Sequence, residues 1–169
     1  MTIRTLGVTV AAIIFALDQL TKYIVSVPLQ LETVGQIELL PFFNLTWVEN
    51  YGVSLGLFTA KSELGRWLLI AMTGAIASVV AVWLWRERNR QDAFGLGLIL
   101  GGAIGNILDR IRFGHVVDFA DLHFTLPSGS DFRPFLVFNV ADAAITIGVL
   151  ILLFRALLVR EKPKEPADA

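Results

Sequence analysis

Two aspartates, Asp118 and Asp142, carry the chemistry that this sequence is best equipped to perform. Each lies at the water-facing end of a segment whose other residues are mostly apolar. An ionised carboxylate at membrane depth costs about 2.5–3.5 kcal/mol on insertion scales, so it marks a functional site by default. If both side chains meet across a small bundle, they form an acid/base pair.

Such a pair has a defined reactivity. Two carboxylates in contact cannot both ionise cheaply, so one pKa rises and the pair shares a proton. The ionised member can take a proton from water, while the protonated member donates to a carbonyl oxygen. This is the equipment for peptide hydrolysis without a metal ion or a covalent intermediate. The two pKa values belong to the pair, so the proton is not assigned to either residue.

The composition places these carboxylates in a membrane protein. The chain has 169 residues, of which 55% are hydrophobic and 17% charged, and its mean hydropathy is +0.67. A soluble domain is usually about 45–50% apolar and about 25% charged. The net charge of −1 argues against a nucleic-acid partner. The chain has no cysteine, which excludes disulfides, thiolate metal sites and a cysteine nucleophile.

Four apolar runs are long enough to cross the hydrocarbon core, which takes roughly 20 residues per helix. They are residues 6–25, 67–85, 94–111 and 135–159. We therefore expect an all-α membrane protein with four transmembrane helices, as one domain of residues 1–160 with a disordered tail at 161–169. Asp142 would then lie roughly 10 Å inside the last helix, since it is seven residues beyond Phe135.

Arginines and lysines indicate the orientation, because they are enriched in cytoplasmic loops. They precede the first run, crowd the link between the second and third, and follow the fourth: Arg4; Arg86, Arg88 and Arg90; Arg155, Arg160, Lys162 and Lys164. Both termini are therefore expected in the cytoplasm. Residues 26–66 and 112–134 would lie outside it.

The first outer segment has a strand signal. Residues 43–49 alternate apolar and polar side chains, and residues 30–40 can supply partner strands around Gly35. We expect a small extracytoplasmic β-sheet cradle on the membrane surface, with Phe42 and Trp47 near the lipid headgroups.

The remaining unusual polar residues share this outer side. Asp18 and Lys22 are four apart on the first helix and can pair there. Asn106, Asp109 and Arg110 share one side of the third helix. Each group also has a purely structural interpretation, as an ion pair or as interfacial charge. Asp121 is expected to be a solvated surface carboxylate.

Other chemistries stay open at this point. Lys22 and Ser26 could form a nucleophile pair, although the helix should end near Ser26. A metal site could use His115, Asp118, Asp121 and His123, but no helical ligand spacing supports it. A proton-coupled carrier would use the same carboxylates, yet it should carry polar groups along the depth of the bundle. A non-enzymatic assembly factor that displays the sheet would tolerate loss of either aspartate.

Five segments, in this order, resemble the motifs of the lipoprotein signal peptidases, the bacterial type II signal peptidases. They are DQLTK at 18–22, NYG at 50–52, GGAIGNILDR at 101–110, GHVVDF at 114–119 and FNVAD at 138–142. The resemblance covers roughly residues 16–147. It implies a four-span aspartyl endopeptidase with a surface cradle and a loop over the site, formed by residues 27–58.

The resemblance also implies roles for single residues. Asp118 and Asp142 match the catalytic dyad of the family. The polar residues that line the site and hold substrate are matched by Asn50, Gly52, Asn106, Arg110 and Asn139. The supporting residues are matched by Asp18, Lys22 and Asp109.

The implied substrate is a prolipoprotein that carries a diacylglyceryl-modified cysteine, and cleavage would fall before that cysteine. The family also implies the bacterial inner membrane, contact with membrane lipid, and inhibition by cyclic peptides of the globomycin type. We expect a monomer, no cofactor and no metal.

Overall fold

The computed structural model describes residues 1–52, 62–125 and 131–158. Its helices are α1 (Ile3–Ser26), α2 (Leu31–Val34), α3 (Glu63–Arg86), α4 (Arg90–Phe113) and α5 (Val140–Leu158). Its strands are β1 (Gln36–Leu40), β2 (Phe43–Asn50), β3 (Val116–Leu122), β4 (Phe124–Thr125) and β5 (Asp131–Phe132). The expected tail at 161–169 and residues 53–58 of the expected surface loop lie outside the described residues.

The four long helices begin where side chains can cap them. The side chains of Thr2, Ser62 and Asn89 accept hydrogen bonds from the first free backbone N–H groups of α1, α3 and α4. Gly114 ends α4 with a φ of 85°, a left-handed conformation that favours glycine. All four helices are long and apolar enough to cross a membrane, which confirms the predicted four-helix membrane fold.

Helix α4 forms the centre of the bundle. Half of its most apolar stretch is buried, against 17% for α3 and α5. Glycines allow this, because a Cβ atom at Gly97 would lie 2.5 Å from a backbone oxygen of α1. A Cβ atom at Gly102 would lie 2.5 Å from the backbone oxygen of Ala141 in α5. Backbone contact between helices of this kind is typical of membrane bundles.

Strands β1, β2 and β3 form an antiparallel sheet in that order, so the expected sheet is present. Part of the detail differs from the prediction: residues 31–34 form a helical turn, and β3 was not foreseen. The sheet packs on Val25 at the end of α1 and on Leu31 of α2. Trp47 packs against this apolar cluster, whereas Phe42 is 46% exposed.

The start of α5 corrects the predicted span at 135–159. The helix begins at Val140, because the backbone of Phe138 forms an antiparallel β-bridge with Ala120 of β3. The side chain of Asn139 then accepts a hydrogen bond from the N–H of Asp142 at 2.9 Å. Asp142 therefore lies in the first helical turn, and the predicted depth of roughly 10 Å is wrong.

The close contact at Gly102 predicts a stability effect. We expect Gly102→Ala to lower the free energy of unfolding by about 1–3 kcal/mol, since the added methyl would force α4 and α5 apart. Gly74→Ala is the matched control, because a Cβ atom there meets nothing within 4 Å and alanine favours the helix. Unfolding in detergent measures both variants. Equal stability of the two would contradict the proposed packing.

Candidate active site

Asp118 lies near the end of the sheet and is 2% exposed. Two amides donate to its carboxylate: the Nδ2 of Asn139 to Oδ1 at 2.7 Å, and the Nδ2 of Asn50 to Oδ2 at 2.9 Å. The oxygen of the Asn50 side chain accepts from the N–H of Gly52 at 2.8 Å. Gly52 has a φ of 89°, which a glycine adopts without strain. This turn fixes the Asn50 amide towards Asp118.

Asp142 reaches the same place from α5. Its Oδ1 accepts from the Nδ2 of Asn106 at 2.8 Å, and its Oδ2 accepts from the N–H of Asn139 at 3.3 Å. Asn139 lies between the two aspartates, because its side chain donates to Asp118 and accepts from the backbone of Asp142. The structure thus brings together the two carboxylates that the sequence singled out.

The surroundings of Asp118 favour a retained proton. Burial raises the pKa of Asp118 from its ordinary 3.8 to about 6, and the negative charge of Asp142 acts in the same direction. Hydrogen bonds from Asn50 and Asn139 and the charge of Lys22 oppose the rise of this pKa without cancelling it. The pair can therefore hold one proton up to about pH 6.

Lys22 lies behind this pair and is 5% exposed. Its Nζ contacts Asp18 at 2.9 Å and Asp109 at 2.7 Å, so the predicted pair is confirmed and a second carboxylate joins it. The same Nζ donates to the Oδ1 of Asn106 at 3.1 Å. Because an ammonium group only donates, this contact turns the Asn106 NH2 group towards Asp142.

The two carboxylates bound to Lys22 also hold the backbone beside each dyad residue. Asp18 accepts from the N–H of Ala141 at 3.0 Å, next to Asp142. Asp109, which is 1% exposed, accepts from the N–H of Val117 at 3.4 Å, next to Asp118. The buried ion pairs therefore position both aspartates through their immediate neighbours.

Arg110 brings a positive charge to the same end of the bundle. Its Nη1 donates to the backbone oxygen of Asn106 at 3.3 Å, and its charge interacts with those of Asp142, Asp118 and Asp109. Its buried Nε has no partner among the described residues. Arg110 is therefore a cation beside the dyad with a donor left for a bound molecule.

A second polar cluster corrects the interpretation of Asp121 as a solvated carboxylate. Asp121 is 1% exposed, accepts from the hydroxyl of Thr46 at 2.9 Å and pairs with Arg133 at 3.2 Å. It is buried because β3 pairs with β2, which places Asp121 opposite Asn44. The alternation that predicted β2 places the polar residues 44 and 46 on one face of the strand. This polar face was the sequence signal that a buried polar partner such as Asp121 could pack there.

Two further features bear on what the site can bind. Among the residues that the structure describes, no group of three histidine and acidic side chains is arranged to hold a metal ion. An apolar cavity of about 310 Å³ adjoins Asp142 and is lined by Leu122, Phe135, Phe138 and Thr146 among others. A site that pairs a carboxylate dyad with an apolar cavity suits a substrate with an apolar portion.

Four helices apolar enough to cross a membrane, with two amide-bridged aspartates at one end, define a membrane-embedded enzyme of the aspartic type. Residues 10–158 match the family model of signal peptidase (SPase) II. The chain belongs to the signal peptidase II family of aspartic-type peptidases, as its motifs predicted. It is a bacterial multi-pass membrane protein.

Individual relatives agree over almost the whole chain. The lipoprotein signal peptidase of Sphingopyxis alaskensis is 59% identical over 96% of this chain and 91% of its own. That of Rhizorhabdus wittichii is 57% identical over 98% of this chain and 92% of its own. A solved bacterial membrane enzyme superposes with a TM-score of 0.73 at 28% identity, covering 96% of this chain and 93% of that one.

The position of Lys22 predicts a large stability effect. We expect Lys22→Met to lower the free energy of unfolding by about 3–5 kcal/mol, since it leaves two buried carboxylates without their cation. Arg155→Met is the control, because it breaks an ion pair between α4 and α5 that is only partly buried. Chemical unfolding in detergent compares them. A Lys22 variant no less stable than the control would contradict the positioning argument.

Proposed function

We propose that this chain removes signal peptides from diacylglyceryl-modified prolipoproteins and cuts before the lipidated cysteine. The observation that carries the proposal is the pair of Asp118 and Asp142, joined through Asn139 at one end of a membrane-spanning bundle. The names of the relatives, lipoprotein signal peptidase, support the substrate class. A site at the bundle end lets a lipid-anchored peptide be cut while its lipid stays in the bilayer.

The proposed reaction uses one shared proton. The ionised carboxylate takes a proton from water as the water oxygen attacks the scissile carbonyl carbon, and the protonated carboxyl donates to the carbonyl oxygen. The tetrahedral intermediate then collapses. Its C–N bond breaks as one dyad carboxyl gives its proton to the leaving nitrogen. The other dyad carboxylate takes a hydroxyl proton from the intermediate, which restores the shared proton. Asp118 and Asp142 exchange roles between the two steps. Because water is the nucleophile, no covalent intermediate forms.

Hydrogen bonds within the protein distinguish the residues that position the dyad from those that bind substrate. The amide of Asn139 donates to Asp118 and accepts from Asp142, and that of Asn106 lies between Lys22 and Asp142. We propose that these two asparagines, with Asn50 and Gly52, mainly hold the dyad. Arg110, which has unused donors, binds oxygens of the substrate lipid or backbone.

The apolar cavity beside Asp142 completes the proposed site. Its lining accepts an apolar part of the lipidated substrate next to the dyad. The supporting set is Asp18, Lys22 and Asp109, which touch no substrate in this account. The mechanism needs no cofactor and no metal.

The distribution of arginines and lysines supports the proposed topology. Both termini face the cytoplasm, and the dyad lies near the extracytoplasmic face of the bacterial inner membrane. Residues 1–160 form one protease domain, followed by a cytoplasmic tail at 161–169. The chain acts as a monomer in contact with membrane lipid, and cyclic peptides of the globomycin type inhibit it.

Removing either carboxylate should abolish cleavage. We expect Asp118→Asn and Asp142→Asn to lower kcat by at least roughly 10²–10⁴-fold, since each removes a group that moves the proton. The assay is cleavage of a purified diacylated prolipoprotein in detergent, with and without a chelator. Asp121→Asn is the matched control. Asp121 is a buried carboxylate on the same strand as Asp118, and it has no role in the proposed mechanism.

Cleavage that survives chelation, vanishes in both dyad variants and persists in Asp121→Asn is the expected result. Cleavage that continues in either dyad variant would overturn the proposed mechanism. Loss of cleavage with the chelator would instead require a metal ion.

The raised pKa of Asp118 predicts the alkaline limb of the pH profile. Cleavage needs the shared proton, so kcat/KM should fall about tenfold per pH unit above about pH 6. The Asn50 amide stabilises the ionised form and so lowers this pKa. Asn50→Leu should therefore move the alkaline limb to higher pH. A limb that stays in place in this variant would show that Asp118 does not set it.

A further inference from the structure

A groove lies between α4 and α5 on the outside of the bundle, at the end opposite the dyad. Its volume is about 630 Å³. Apolar side chains line most of it, among them Phe94, Ile147, Leu150 and Phe154, and Arg90 and Arg155 lie at its end. None of these residues takes part in the proposed catalysis.

The groove exists because the two helices touch through glycine at its floor. A Cβ atom at Gly95 would lie 3.2 Å from the backbone oxygen of Gly148, and one at Gly148 would lie 2.5 Å from that of Gly95. Larger side chains on either side of this contact form walls. Phe94 is 41% exposed, Leu150 45% and Phe154 61%, so the walls are open to the surroundings of the bundle.

The charge at the end of the groove is positive. Arg90 is exposed, and no acidic side chain in the described part of the chain pairs with it. Arg155 pairs with Asp92 at 2.5 Å, which fixes it between the two helices. An anion at this end therefore meets at least one arginine whose charge is not already neutralised.

The dimensions match one leaflet of a bilayer. Arg155 and Ile147 are eight residues apart on α5, which is about 12 Å at 1.5 Å per residue. Half of the hydrocarbon core is about 15 Å thick. A molecule with its phosphate at the arginines can thus lay an acyl chain along the groove as far as Ile147.

We propose that this groove is a binding site for an anionic phospholipid. The phosphate group binds Arg90, and one acyl chain packs between Phe94, Leu150 and Phe154. Basic pockets between transmembrane helices are a recurrent way to bind anionic headgroups. A signal peptide is the less suitable occupant, because its basic amino-terminal region would meet the same arginines.

The test counts lipids bound to the full chain in detergent micelles by native mass spectrometry. Phosphatidylglycerol is the anionic probe, and phosphatidylcholine with the same acyl chains is the zwitterionic comparison. Arg90→Gln removes the proposed phosphate contact. Arg88→Gln is its matched control, because Arg88 is also exposed but does not line the groove. Leu150→Trp fills the groove. Leu153→Trp is its control, since Leu153 is similarly exposed on α5 (51% against 45%) but does not line the groove.

We expect one saturable phosphatidylglycerol site. Arg90→Gln should raise the Kd for phosphatidylglycerol about fivefold, because the variant loses the attraction between one arginine and the anionic headgroup. Leu150→Trp should abolish binding, while both controls retain it. If Arg90→Gln does not fold, the tryptophan pair still decides the question.

Equal binding of both lipids, or equal effects of the two arginine variants, would overturn the proposal in favour of non-specific surface lipid. Retained binding in Leu150→Trp would overturn it as well. A dimer that Leu150→Trp disrupts and phosphatidylglycerol does not affect would assign the groove to a second copy of the chain.

Discussion

The ammonium group of Lys22 lies inside the bundle between two carboxylates, and the geometry of the site depends on it. Asp18 and Asp109 each accept from Lys22 and also from a backbone N–H next to a dyad residue. One cation thereby fixes α1, α4, the start of α5 and the edge of the sheet relative to each other. Such a group is expensive to bury, and it is tolerated because both its charge and its hydrogen bonds are satisfied.

The two pairs of carboxylates at this end of the bundle have different hydrogen-bond partners. Asp18 and Asp109 share the ammonium group of Lys22 and serve as fixed acceptors for backbone N–H groups. Asp118 and Asp142 receive hydrogen bonds mainly from neutral amides, which orient them without neutralising them. For Asp118, the difference between a pKa of about 6 and the ordinary 3.8 corresponds to about 3 kcal/mol against ionisation. The same chain thus builds a structural pair and a reactive pair from one residue type.

The raised pKa of Asp118 also makes the folding stability depend on pH. Because the pKa of Asp118 is higher in the folded than in the unfolded chain, the stability that Asp118 contributes is greatest below pH 3.8. It falls as the pH rises to about 6. Reactivity is therefore obtained at the expense of stability.

Much of this could be predicted from the sequence, and the failures have physical causes. The four helices follow from apolar runs of the right length, and the dyad follows from the cost of a carboxylate in such a run. The start of α5 was missed because residues 135–138 are as apolar as the helix, and only the bridge of Phe138 to the sheet excludes them. Asp121 was misplaced for a similar reason, since its burial depends on pairing between β2 and β3, which are distant in the chain.

The central claim is that the dyad holds one shared proton up to about pH 6. Infrared difference spectra of the detergent-solubilised protein, with its aspartates labelled with ¹³C at the carboxyl group, measure this directly. The account predicts a protonated-carboxyl band that titrates near pH 6 and is absent from the same spectrum of Asp118→Asn. A dyad without any protonated carboxyl at pH 5, or a band that Asp118→Asn leaves unchanged, would contradict it.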